Sequence, residues 1–276
     1  MSVHVFLPCR KGSERIPNKN TKDFAGVKGG LLKIKLDQLI NITDLDSIVV
    51  SSNDDVVLEF ASTYKDSRIR IDERPEHLGS SSTSTDDLIR YVPSIITTGH
   101  VLWTHVTSPF LDESGYRAIL KQYLASLSEG YDSLMTVKEL RGFIWNKDRP
   151  ISYDRNIEKW PRTQTIEPLY EIDSSVFLNS VENYKKLNDR IGLKPSMYIQ
   201  DAESSIDIDW PEDFTFAPLY EIDSSVFLNS VENYKKLNDR IGLKPSMYIQ
   251  DAESSIDIDW PEDFTFAEVM WKKKNL

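Results

Sequence analysis

Residues 3–20 read VHVFLPCRKGSERIPNKN. The first part, Val3–Pro8, is rich in β-branched, aromatic and aliphatic residues and is bounded by polar turn residues, which predicts a strand. The rest places Arg10, Lys11, Arg15 and Lys19 around Gly12 and Ser13. Small residues let main-chain N–H groups approach phosphate oxygens, and the cations neutralise a polyphosphate. A basic loop of this kind can also be a merely solvated one. Its place directly after a first strand favours the phosphate reading. No GKS or GKT closes the loop and no helix starts at once, so it is not a Walker loop.

Outward from this segment, strand patterns recur at Ser47–Ser51, Arg68–Ile71, Val101–His105 and Ser133–Val137. Helical patterns lie between them, over Leu31–Ile42, Asp54–Tyr64, Thr85–Ile96 and Asp112–Ser128, with Ser84 and Thr85 as N-cap candidates. Strands alternating with helices predict an α/β domain on a largely parallel sheet. The order changes after Val137: Gly142–Arg162 suggests a β-rich arm, and Tyr170–Leu178 a further strand. Ligands of such sheets bind at the carboxyl ends of the strands, so the loops that follow strands are the places to look for chemistry.

Three further loops qualify. Ser205–Asp209 reads SIDID, and alternation turns Asp207 and Asp209 to the same side of an extended chain. Two carboxylates facing one way repel unless a cation lies between them, and Mg²⁺ suits one or two carboxylates plus phosphate oxygens. A half-buried strand with solvated aspartates is the plain alternative. Arg74–Leu78 with the hydroxyl-rich run Gly79–Thr85 can contact a base, ribose or phosphate, or can simply cap a helix. His105–Phe110, HVTSPF, offers Thr107 and Ser108 at a strand end. His105 there is a general base, a sugar contact or, as most lone histidines are, structural.

Self-comparison changes the reading of the C-terminal part. Pro168–Ala217 and Pro218–Ala267 are the same 50 residues without a difference, so SIDID recurs as Asp257 and Asp259. Old repeats drift, so perfect identity points to a very recent tandem duplication, a deliberate one, or an error in the sequence. Of 276 residues, 226 remain when the 50 of one copy are taken out. Each copy carries ten acids and four bases, so roughly half of the net charge of −11 comes from the repeat. The expected organisation is a catalytic domain over 1–217, a duplicate over 218–267 and a helix end over 268–276.

That acidity argues against duplex nucleic acid as the main partner, since phosphate backbones are held by basic surface. A small nucleotide needs only a local basic pocket. With one cysteine, Cys9, neither an intrachain disulfide nor a Cys-rich zinc site can form. No apolar run reaches the roughly 20 residues of a membrane span, and the opening residues lack the apolar core of a leader, so a cytoplasmic setting is expected.

Taken in order, LPCRKGSERIPNKN, IDERPEHLGSSSTST, THVTSPF, RTQTIEPLYE and SIDIDWPEDF resemble the acylneuraminate cytidylyltransferases, the CMP-sialic acid synthetases and their pseudaminic and legionaminic relatives. The resemblance implies a Rossmann-like nucleotidyltransferase fold with a mostly parallel mixed sheet and a β-rich dimerisation arm. It also implies a homodimer, CTP and an acidic nonulosonic sugar as substrates, and Mg²⁺ as cofactor. By the same resemblance Arg10 and Lys19 hold the triphosphate, with Ser13 and Asn20 beside them, and Arg74 and Thr85 lie near the nucleotide. Arg162, Tyr170 and Phe177 face the sugar, together with His105, which stands where the family commonly has Gln. Asp207 and Asp209, or their repeats Asp257 and Asp259, hold the metal, and Asp209 or Asp259 joins Arg10 and Lys19 in catalysis. Glu14 stands where the family commonly has Lys. A cytidylyltransferase for the eight-carbon acid Kdo and a nucleotide-binding protein inactivated by the duplication are the alternatives. A DxD glycosyltransferase ranks last, because it gives no reason for the basic loop.

Overall fold

The computed structural model of the chain describes residues 1–208 except Glu14, Ser81, Ala202 and Glu203, and beyond them Lys236. Two compact units divide the chain: Met1–Glu139 with Tyr170–Pro218, and Leu140–Leu169 with Leu219–Leu276.

In the first unit the strands are β1 (Val3–Cys9), β2 (Ser47–Ser52), β3 (Ile69–Glu73), β4 (His100–Thr104), β5 (Ser133–Leu140), β6 (Leu169–Ser180) and β7 (Pro195–Ile199). They form one seven-stranded sheet in the order β3-β2-β1-β4-β6-β5-β7. β1 runs parallel to β2 and β4, β2 to β3, and β5 to β7, whereas β4 and β6 are antiparallel, with Trp103 opposite Phe177. The expected strands and the mostly parallel character are present. β7 was not read from the sequence, because its short run PSMYI has no clear alternation.

The helices are α1 (Gly30–Ile40), α2 (Asp55–Ser62), α3 (Thr85–Ile95), α4 (Glu113–Ser128) and α5 (Val181–Leu187). Alternation along β1 explains how they distribute. Val3, Val5, Leu7 and Cys9 face one core with Leu32, Leu36 and Leu39 of α1, Val57 of α2, and Tyr116 and Ile119 of α4. Phe6 faces the other core with Ile89 and Val92 of α3, Trp103, Phe177, and Val181 and Tyr184 of α5. There Phe6 and Trp103 meet edge to face, their centroids 4.7 Å apart. Side chains cap the helices at their starts: Asp54, Ser84, Asp112 and Ser180 accept from Val56, Asp87, Gly115 and Asn183 respectively. α1 begins differently, at Gly30 with φ +54°, where a Cβ would stand 1.9 Å from the carbonyl oxygen of Lys22. Only glycine permits that close return of the basic loop onto the helix.

Both β6 and β7, with α5 between them, come from the first copy of the repeat. The second copy and the helix end over 268–276 lie outside the described residues, Lys236 apart.

In the second unit, residues 141–168 correct the expected β-rich arm. They hold one isolated bridge, Trp145 to Pro150, and a 3-10 turn over Thr163–Thr165, with turns and bends between. Side chains compete with a ladder for the main chain here. Asn146 Oδ1 accepts from the N–H groups of Asp148 and Arg149, and Asp154 Oδ1 from that of Asn156. Rings supply the packing: Phe143 lies edge-on to Tyr153 and Trp160 at 5.3 and 5.2 Å.

Candidate active site

The basic loop leaves the carboxyl end of β1 and folds back on itself. Asn20 Nδ2 donates to the carbonyl of Arg10 at 3.1 Å, closing the loop, and the Asn20 carbonyl accepts from Leu32 N–H at 2.8 Å, fixing it to α1. Ile16 is buried beneath it. Gly12 has φ +74°, and a Cβ there would meet nothing within 4 Å, so the turn of the loop faces open space. Arg10 is exposed and Ser13 partly exposed. A strand end thus offers a cationic side chain and an open glycine turn, the chemistry that binds phosphate.

Lys19 takes a different direction. Its Nζ donates at 2.9 Å to the main-chain carbonyl of Ile208, in the middle of SIDID. That segment is itself docked on the turn after β4, because Ile208 N–H donates to the Thr107 carbonyl at 2.8 Å. Ile206 and Ile208 bury their side chains in the first core, and the half-buried Asp207 lies between them. The apolar members of SIDID therefore anchor the segment, although residues 205–208 form no ladder strand. Asp209, Asp257 and Asp259 lie outside the described residues. Among the described residues the donor set suits a magnesium site in kind: the carboxylate of Asp207 on a segment bonded to the basic loop, Mg²⁺ being a cation that takes one or two carboxylates together with phosphate oxygens.

Asn53, at the end of β2, was not read as a site residue. Its Oδ1 accepts from Lys11 N–H at 2.9 Å, its Nδ2 donates to Glu76 at 3.3 Å, and its side chain occupies the space where a Cβ on Gly79 would stand. It joins the basic loop to the 74–85 loop. An Asn directly after a Ser-Ser strand end was the available signal. Arg74 is 3% exposed and spends its guanidinium inside the protein, donating from Nε to Ser51 Oγ at 3.0 Å and from a second nitrogen to the Ser51 carbonyl. Burial pushes its pKa down, and it acts as a strut under the carboxyl end of β2. Thr85 is exposed at the start of α3, while Ser84 makes the cap.

The remaining expected sugar contacts separate. Trp103 Nε1 donates to His105 Nε2 at 3.0 Å, so that nitrogen acts as an acceptor and is not open to a substrate proton. Tyr170 is 39% exposed at the start of β6. Phe177 is corrected: it is fully buried in the second core, its centroid 3.7 Å from the Arg190 guanidinium carbon, and it presents no surface to a sugar. Arg162 belongs to the second unit, exposed, with its carbonyl accepting from Thr165. A groove lined by His4, Arg70, Asp72, Thr97 and Thr98 opens on another part of the first unit and shares no residue with this constellation.

Residues 4–244 match the cytidylyltransferase family. The chain belongs to that family. N-acylneuraminate cytidylyltransferase B of Danio rerio is 29% identical to this chain over 215 residues, 74% of this chain and 48% of that protein. The pseudaminic acid cytidylyltransferase of Campylobacter jejuni is 28% identical over 127 residues, 45% of this chain and 54% of that one. The chain spans about half the length of the curated relatives it matches. Among solved structures, 4-diphosphocytidyl-2C-methyl-D-erythritol synthase of Anaerococcus prevotii has a TM-score of 0.56 at 16% identity, covering 78% of this chain and 94% of that one. CMP:2-keto-3-deoxy-manno-octonic acid synthetase complexed with CTP has a TM-score of 0.54 at 11% identity, covering 78% and 96%. At these identities the two structures establish a shared fold.

Proposed function

We propose that this cytidylyltransferase transfers CMP from CTP to an acidic nonulosonic sugar of the sialic or pseudaminic type, with Mg²⁺, releasing pyrophosphate. The observation that carries the reading is the Lys19–Ile208 hydrogen bond, which brings the basic loop and the SIDID segment to one place. In the transfer, the anomeric hydroxyl of the sugar attacks the α-phosphorus: an O–P bond forms as the bond to the β-phosphate breaks, pyrophosphate leaves with the bonding pair, and the hydroxyl proton passes to water. Arg10 and the open turn at Gly12 and Ser13 hold the triphosphate, and Lys19 holds the carboxylate segment against it. Asp207 with Asp209 would hold Mg²⁺, which supplies neutralisation of phosphate charge and lowers the pKa of the attacking hydroxyl. The protein's contribution is positioning and preorganised charge. The acid sugar is supported by the relatives, named for N-acylneuraminate and pseudaminic acid.

The experiment is pyrophosphate release from CTP with Mg²⁺ across a panel of N-acetylneuraminic, pseudaminic, legionaminic and Kdo acids. Release with a nine-carbon acid and CTP, and not with UTP or ATP, supports the reading. Release with Kdo alone transfers it to the eight-carbon class, and no release with any acid removes it. The homodimer and the cytoplasmic setting belong to the same proposal and are tested by light scattering and by fractionation. Among the described residues no helix is long and apolar enough to cross a membrane.

A further inference from the structure

Lys35 lies in the middle of α1 and is fully buried. Its Nζ donates to the Ser108 carbonyl at 2.8 Å, the Leu111 carbonyl at 3.3 Å and the Tyr116 hydroxyl at 2.9 Å. An ammonium has three protons to donate, and here all three are used. Tyr116 in turn meets Thr104 Oγ1 at 2.6 Å, at the last residue of β4. One turn further along α1, Gln38 Nε2 donates to the Pro109 carbonyl at 2.7 Å. Two side chains of one helix thus hold the main chain of the β4–α4 turn at Ser108, Pro109 and Leu111.

A lysine in this place is expensive. Burial penalises its charge and draws its pKa down to about 7, partly offset by the attraction of Asp112. A leucine or methionine would fill the same space without that penalty. What the lysine supplies, and an apolar residue cannot, is a fixed geometry for the turn. That turn is the seat of the SIDID segment: Thr107 accepts from Ile208 N–H, and Ile208 accepts from Lys19. Lys19 returns through Asn20 to Leu32, on α1 itself. The hydrogen bonds close a ring from α1 through the turn, the aspartate segment and the basic loop back to α1.

We propose that Lys35, seconded by Gln38, is a positioning residue of the nucleotide site: it fixes the β4–α4 turn and through it the placement of Asp207 for a divalent cation on CTP. This rests on the function proposed above. Removing partners that orient metal ligands typically costs about 10–100-fold in metal affinity.

The test measures CTP binding by calorimetry with and without Mg²⁺, so that no sugar is needed. The proteins are the full chain, Lys35→Met, Gln38→Ala and, as a buried control on α2, Val57→Ala. Expected is a loss of about tenfold or more in the Mg²⁺-dependent gain in CTP affinity for Lys35→Met. A smaller loss in the same direction is expected for Gln38→Ala, and none for Val57→Ala. If Lys35→Met does not fold, Gln38→Ala decides. A wild-type magnesium dependence in the variants overturns the clamp and leaves the functional reading standing. A full chain that does not bind CTP with Mg²⁺ overturns both.

Discussion

Lys19 Nζ and the main-chain carbonyl of Ile208 are hydrogen-bonded at 2.9 Å although 189 residues of chain separate them. This bond fixes to the basic loop the segment that carries Asp207. Replacing Lys19 by Met is expected to weaken CTP binding by about 30-fold, the equivalent of roughly 2 kcal/mol for one charge-assisted contact. Calorimetry measures it.

Arg10 is exposed and its side chain contributes little to the fold. Arg10→Ala is therefore expected to weaken CTP binding about 10-fold or more while moving Tm by no more than the change that about 0.5 kcal/mol produces. A thermal melt beside a CTP titration separates the two effects.

Ile208 is buried in the first core and carries the main-chain bonds to Thr107 and Lys19. Ile208→Ala is expected to cost about 2–5 kcal/mol in urea unfolding through the cavity it leaves. Ile208→Val, which keeps the backbone placement, is expected to cost only about 0.5–1.5 kcal/mol and to retain CTP binding.

Lys35 and Cys9 make stability depend on pH with opposite signs. Burial lowers Lys35 from 10.5 to about 7, so between those values the unfolded chain binds a proton that the folded chain does not. Stability then rises with pH through that window. Burial raises Cys9 from 9.0 to about 12, so its contribution is complete below pH 9 and is lost as pH climbs from there. Urea melts at intervals from pH 6.5 to 10 are expected to show a rise from about pH 7. Above pH 9 the two contributions oppose one another and the rise levels off; Lys35→Met removes the rise, and Cys9→Ala lets it continue past pH 9.

Much of this was legible in the chain before any coordinates. The strand at Val3–Pro8 is flanked by turn chemistry and is buried on both faces, so periodicity and punctuation agree. Ser84 was readable as a cap because a hydroxyl precedes a periodic run. The basic loop was legible from its place after the first strand, and the structure bonds Lys19 of that loop to the segment that carries Asp207. What escaped depends on tertiary contact. β7 becomes a strand because it pairs with β5, not through its own pattern. The resemblance turns Phe177 toward the sugar, and its burial follows from its register opposite Trp103. Nothing in LLKIKLDQLI announces that three acceptors wait beneath Lys35. The arm over Gly142–Arg162 has aromatic and β-branched residues, but its Asn and Asp side chains bond their own main chain in place of a partner strand.

The central claim is that the basic loop and the SIDID segment serve one magnesium-bound cytidine nucleotide. A double-mutant cycle on CTP·Mg²⁺ affinity with Lys19→Met and Asp207→Asn tests it most directly. The account predicts coupling of about 1 kcal/mol or more, the second substitution costing much less once the first is made. Losses that add within about 0.5 kcal/mol, as for independent sites, would contradict it.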